Sequence, residues 1–267
     1  MTQYEPILKM SRDIKDAAII LTAQEARYLV DTYYQMQDQR IRADWQIRSM
    51  GEEPHATLEY VSEQASTLEG QIKRALLRYA ESQEIGKWLL SQVGIGGVLA
   101  AGLMAHIDIK VADTAGAIWR YAGLDPTSEW KKGEKRPFNA SLKVLCWKIG
   151  ESFVKVSGNE NAFYGKLYAQ RKLQEVTRND AFEFKTQAAA KLEKYNIGKA
   201  TDAYKSYSIG KLPPAHVHAR ATHYAVKIFL SHLFEVWREI EGLPIPKPFA
   251  IAILGHAHEI KPNHSYK

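Results

Sequence analysis

Two sets of residues have types and spacings that could do chemistry. The first is histidine. Seven of the nine histidines lie after Pro214, at His216, His218, His223, His232, His256, His258 and His264. His216/His218 and His256/His258 form His-x-His pairs, whose imidazole nitrogens can converge on zinc or another transition metal from a strand or turn. Cys146 is the single cysteine, and the acidic neighbours are few, namely Glu235, Glu239 and Glu259. Such spacing arises often by chance, so the reading adopted is no metal and no cofactor. A divalent metal enters only under an alternative, in which Gly255-His256-Ala257-His258-Glu259 serves a phosphodiester hydrolase. On a helix beginning at Ala215, Arg220, His223 and Lys227 fall at i, i+3 and i+7, on one face that could clamp a phosphate. His232 lies nearer the apolar stripe of that helix and reads as a buried, hydrogen-bonded histidine.

The second set is glycine, in Val93-Gly94-Ile95-Gly96-Gly97-Val98-Leu99-Ala100-Ala101. Gly94 and Gly96 permit a tight reversal with positive φ. Ile95 can plug the crease between two helices, and Ala100 and Ala101 let them lie close. This is the pattern of a helix-hairpin-helix. Gly94, Gly96, Gly97 and Val98 would offer backbone N–H groups at a helix N-terminus, where a phosphate is held without side chains. Phosphate contacts position a duplex and read no sequence. A dinucleotide fingerprint would need a preceding strand, and a phosphate-binding P-loop would need Gly-Lys-Ser/Thr; neither is present.

The elements that would carry these residues are helical. Asp13 to Ile47 contains no Gly or Pro. Thr22 with Glu25 three residues on predicts a capped helix start. Leu58 to Leu90 predicts one long amphipathic helix able to pair with another. Asp125 to Asn139 reads as an exposed loop, Ser141 to Val156 as a helix, Tyr195 to Pro214 as a connector and Ala215 to Glu241 as a helix. The tail from Leu243, with four prolines, reads as irregular and Pro/His-rich. Strand patterning is scarce, so the fold class expected is all-α. Three regions follow: long N-terminal helices over 1–84, a helix-hairpin-helix domain over 85–156, and a basic helical region with the His-rich end over 157–267. The 267 residues carry a net charge of +6, with 45% hydrophobic and 25% charged residues, which excludes wholesale disorder. The charge is uneven. Residues 1–129 hold 13 basic and 18 acidic side chains, residues 130–211 hold 17 and 8, and residues 212–267 hold 6 and 4. A basic block of this kind suits a polyanion. The longest apolar run, Val93 to Ala105, is too short to span a bilayer, and a single cysteine suits a reducing compartment. A cytoplasmic protein is expected, without a membrane partner.

Downstream lies Tyr121-Ala122-Gly123-Leu124-Asp125-Pro126, then a basic loop, then Phe138-Asn139-Ala140-Ser141-Leu142-Lys143. With the glycine hairpin, this resembles the C-terminal domain of insertion-sequence transposases of the one-ten/one-sixteen type, over residues ~70–155. That family shows a Pro-Gly-Ile-Gly hairpin, a Tyr-Ala-Gly-Leu-x-Pro motif and a Gly-Asn-x-x-Leu-Arg helix start. Phe138 stands where the family has Gly. The family's catalytic Ser-Gly pair and its N-terminal acidic nuclease-like domain have no counterpart here; Ser128 in the loop reads as a turn residue. The resemblance implies a DNA-binding fold without transposase chemistry. The function expected is therefore non-catalytic, largely sequence-independent binding of duplex DNA or structured nucleic acid. The residues expected to carry it are Gly94, Ile95, Gly96, Gly97, Val98, Lys131, Lys132, Lys135, Arg136, Asn139, Lys143, Arg220, His223 and Lys227. The alternatives are a mobile-element recombinase or metal-dependent nuclease, and a purely structural assembly protein. The N-terminal helices could support a homo-oligomer.

Overall fold

The computed structural model describes residues 9–51, 56–131, 133–246 and 260–262. Among these residues there are eleven α-helices and no strand, so the all-α class holds. The chain enters through α1 (Arg12–Ala17) and a short 3-10 turn, Ala18–Ile20. The Thr22 side chain then caps α2 (Ala23–Ser49), and Glu25 reaches back to the Thr22 amide in a complete capping box. α3 (Ala56–Glu81) pairs with α2. Each is about 40 Å long at 1.5 Å per residue. Their seam is partly polar. Glu69 accepts from Gln37 and Arg40, and Asp44 accepts from Arg40 and Ser62. Toward the outer end of this pair Ile41, Trp45, Met50 and Tyr60 are exposed.

The predicted continuous helix over Leu58 to Leu90 is two helices. α3 stops at Glu81, Gln83 is extended, and α4 (Glu84–Ser91) starts in a new direction. Gly86 makes the corner possible, because a Cβ there would sit 1.9 Å from the Ala80 carbonyl oxygen. After a turn at Gly94, with φ +103, comes α5 (Gly97–His106). Nearly all of α5 is buried, as expected for a helix apolar all round. Its glycines set the packing distances. A Cβ on Gly97 would lie 2.7 Å from the Leu77 Cα of α3, and one on Gly102 would lie 2.8 Å from a Leu145 methyl.

α6 (Ala115–Tyr121) and α7 (Ala140–Lys155) flank the expected loop. α8 (Phe163–Asp180), α9 (Lys185–Lys194) and α10 (Asp202–Ser208) lead to α11 (Pro214–Ile240). α10 lies inside the segment read as a connector, capped by Thr201. α11 closes the core. Gly150 admits it, since a Cβ there would press to 2.4 Å from Thr222. Trp88, Phe153, Tyr164 and Phe229 then pack as stacked and edge-to-face pairs, 5.0–6.1 Å between ring centres. One core draws on α2 through α8 and α11, and Phe184, Ala188, Tyr207, Leu212 and Val217 form a small satellite under α9 and α10. No helix among the described residues is long and apolar enough to cross a membrane.

Candidate nucleic-acid interface

The two motifs around the basic loop are a helix stop and a helix start. At the end of α6, Leu124 N–H donates to the Trp119 carbonyl and Gly123 N–H to that of Arg120. This is a Schellman motif, with Gly123 at φ +66 as the left-handed residue. Asp125 then accepts from the Thr127 amide and hydroxyl and pairs with Arg120. These hydrogen bonds and the Arg120 charge hold the Asp125 carboxyl below its usual value. At the far end of the loop Asn139 caps α7, accepting from the Leu142 amide at 2.9 Å. Its side-chain amide donates to the Tyr121 hydroxyl, and its backbone N–H donates to the Tyr121 carbonyl. Asn139 is thus the clasp that ties loop exit to loop entry. Ser128 is exposed, with its amide on the Asp125 carbonyl.

Several of the expected cations gather here. Lys131, Lys135 and Arg136 are exposed on the loop, and Arg136 lies over the Trp130 ring. Phe138 packs against Gly123, while the Lys143 ammonium lies 4.3 Å from the centre of its ring. α11 contributes Lys227, whose chain covers Trp119 and whose carbonyl accepts from the Trp119 indole N–H at 3.1 Å. Burial holds the Lys227 ammonium below its ordinary value, against the pull of Asp125. His223 is also held down, by desolvation and by the charges of Lys227 and Lys143. A loop, the first turn of α7 and the middle of α11 therefore present one cationic surface. One turn beyond Lys143 stands Trp147, 60% exposed, beside the exposed Val144. Neither belonged to the expected set. The signal was present in the sequence, since both fall off the buried stripe of Leu142, Leu145, Cys146, Ile149 and Phe153. The same burial pushes the Cys146 thiol up to about 12.

The glycine hairpin is elsewhere. Gly94 rests on Ser152, Phe153 and Val156, and its carbonyl accepts from the Ser152 hydroxyl. Ser152 is nine residues from Lys143, or two and a half turns, so the two point to opposite sides of α7. They are also roughly 14 Å apart along its axis. Ile95, Gly97 and Val98 are buried, Gly94 is half-buried, and Gly96 alone of the five is exposed. α5 does open without a capping side chain. Its start nonetheless lies against Leu77 of α3 and apart from the lysines.

Arg220 also leaves the expected group. Its guanidinium hydrogen-bonds the Glu175 carboxylate on α8 at 2.5 Å and stacks on Phe184. Arg171 and Arg178 complete the ring around Glu175, whose side chain is fully buried. Burial works against the charge on Glu175, but the Arg220 hydrogen bond and the three guanidinium charges hold its carboxyl below the usual value.

His216 and His218, which the alternative reading would bring together on a metal, do not converge. Both lie on α11, where residues two apart point to opposite sides. His216 pairs with the Tyr207 hydroxyl and His218 with that of Tyr168. His232 is buried as expected, bonded to Tyr164 and to the Ile260 carbonyl. Among the described residues no three His, Cys, Asp or Glu side chains gather as a metal site. Lys132, His256 and His258 lie outside the described residues.

No protein-family model, no curated protein and no solved structure matches the chain.

Proposed function

We propose that this chain binds duplex nucleic acid, with little dependence on sequence and without catalysing a reaction on it, through the face built by the α6–α7 loop, the start of α7 and α11. The observation that carries this reading is the gathering of Lys135, Arg136, Lys143, His223 and Lys227 on one surface from segments up to ninety residues apart in sequence. Two carboxylates of the loop are already engaged, Asp125 by Arg120 and Thr127, and Glu134 by the Lys131 amide. Lys135 and Arg136 are exposed and open to phosphate. Lys and Arg near exposed aromatic rings are the composition of a phosphate-tracking surface. The hairpin amides are left out of this interface because α7 stands between them and the lysines. In this reading the transposase-like glycines serve packing, and the kinship lies in a DNA-binding scaffold.

Binding of a labelled duplex, titrated at several salt concentrations, tests the proposal. With about four or five phosphates neutralised, log affinity should fall with log salt with a slope near −4. Lys135→Glu combined with Arg136→Glu should weaken binding to all duplexes alike and reduce that slope by about 2. Absence of binding, or a flat response to salt, overturns the proposal.

A further inference from the structure

Beside the cationic face, the loop clasp leaves an open cleft of about 450 Å³ lined by Tyr121, Lys135, Arg136, Pro137, Phe138 and Asn139. We propose that this cleft is a subsite for one unpaired nucleotide, presented from the strand that the neighbouring face holds. The inference rests on the nucleic-acid reading above and adds what that reading lacks, a place for a base.

Three features point to a nucleotide. The walls are two aromatic rings and a proline, a lining on which any base can stack. Tyr121 is 44% exposed although its hydroxyl is anchored by Asn139, so a fixed ring presents itself to solvent. Phe138 is locked from behind by Gly123 and Lys143. The rim carries Lys135 and Arg136, both exposed, where the phosphate of a stacked nucleotide would lie. The volume falls within the range of small-ligand sites, about 300–1,000 Å³.

The same geometry says what the cleft does not do. Asn139 would be the residue to read a base edge, but the Leu142 amide on its oxygen and the Tyr121 hydroxyl on its nitrogen hold it in the helix cap, leaving one N–H and one lone pair that it cannot turn toward a base without breaking the cap. Recognition is then by stacking, with purines favoured over pyrimidines and no sequence preference beyond that. A wide cleft without a set of polar readers holds a free nucleotide poorly. It suits a base whose neighbours are already anchored on Lys143 and Lys227, because the tether supplies a high effective concentration. An overhang or a bulge in a duplex has this form.

The experiment compares a blunt duplex, the same duplex with a short single-stranded overhang, and free dAMP as competitor, at one salt concentration. The overhang should bind about five- to a hundredfold tighter than the blunt duplex, and millimolar dAMP should displace neither. Tyr121→Phe keeps the ring and should keep the preference. Tyr121→Leu should bring the ratio of overhang to blunt affinity to about one, with circular dichroism and melting temperature confirming a folded variant. Blunt and overhang duplexes binding equally well would overturn the subsite while leaving duplex binding intact. A preference that survives Tyr121→Leu would place the unpaired base elsewhere and overturn it too. Displacement by micromolar dAMP would make the cleft a free-nucleotide site and refute the strand-borne claim. If no duplex binds at all, the underlying reading fails and the subsite fails with it.

Discussion

The buried Glu175 carboxylate shows how one residue can tie two helices together. Arg171 and Arg178 reach it along α8 and Arg220 reaches it from α11, two of them at 2.5 Å. Removing the acid leaves three guanidiniums facing one another beside Phe184. Glu175→Gln should cost about 2–4 kcal/mol, measured by urea denaturation; an unchanged midpoint would show that the ring contributes nothing. Histidine gives the molecule its acid sensitivity. Burial holds His106, His216 and His223 below the ordinary value of 6.5. Nearby cations add to this: Arg27 at His106, Lys191 and Arg220 at His216, and Lys227 and Lys143 at His223. The unfolded chain then takes up protons first as pH falls, so the contribution of these neutral rings to stability is complete above about 6.5 and declines below it. A bound polyanion would reverse the balance at His223, since phosphate favours the imidazolium. Duplex affinity should therefore rise between about pH 7 and pH 5.5 with uptake of a proton, and His223→Gln should flatten that rise. A pH-independent affinity in the unsubstituted chain would count against His223 facing the ligand.

At the scale of elements, glycine positions decide which helices can approach. Gly97→Ala drives a methyl into the Leu77 backbone and should cost about 1–3 kcal/mol, read from thermal or urea denaturation. Gly96 has open space around its Cβ position and an ordinary negative φ, so Gly96→Ser should stay within about 0.5 kcal/mol of the parent. Loss of duplex binding in Gly96→Ser, with stability intact, would return the hairpin to the interface. Asn139→Ala removes the cap of α7 and the Tyr121 clasp together, and should lower stability by about 0.5–2 kcal/mol in the same denaturation experiments. Local rules made these elements legible. Thr22 and Glu25 signal the start of α2, and the apolar stripe from Val217 to Val236 gives α11. The break at Ser82–Gln83 was hidden because the apolar periodicity runs through it, and only the contact of Gly86 with Ala80 explains the corner. α10 was hidden by a segment rich in Lys, Gly, Tyr and Ser, whose helix is fixed by the satellite core around Tyr207.

Across the whole molecule, the sequence supplied the cations but could not sort them. The basic block gave Lys135, Arg136 and Lys143, and helical spacing gave His223 and Lys227. Spacing alone also put Arg220 with them, because the acid that claims it lies forty-five residues away on another helix. Hairpin amides and loop cations both suit phosphate, yet α7 carries them on opposite sides. Three aromatics of the basic block are likewise structural: Tyr168 and Tyr207 hold histidines, and Tyr164 stacks in the core. Trp147 is legible as lying off the buried stripe of α7, and only the packed molecule shows that no other element covers it. That helix works as a partition between the bend of the hairpin and the cationic face, and the partition implies energetic independence. In a double-mutant cycle of Gly97→Ala and Arg136→Glu, the first change should weaken the fold and the second the complex. Below the melting temperature of the weaker variant, the coupling between them should be within about 0.5 kcal/mol of zero.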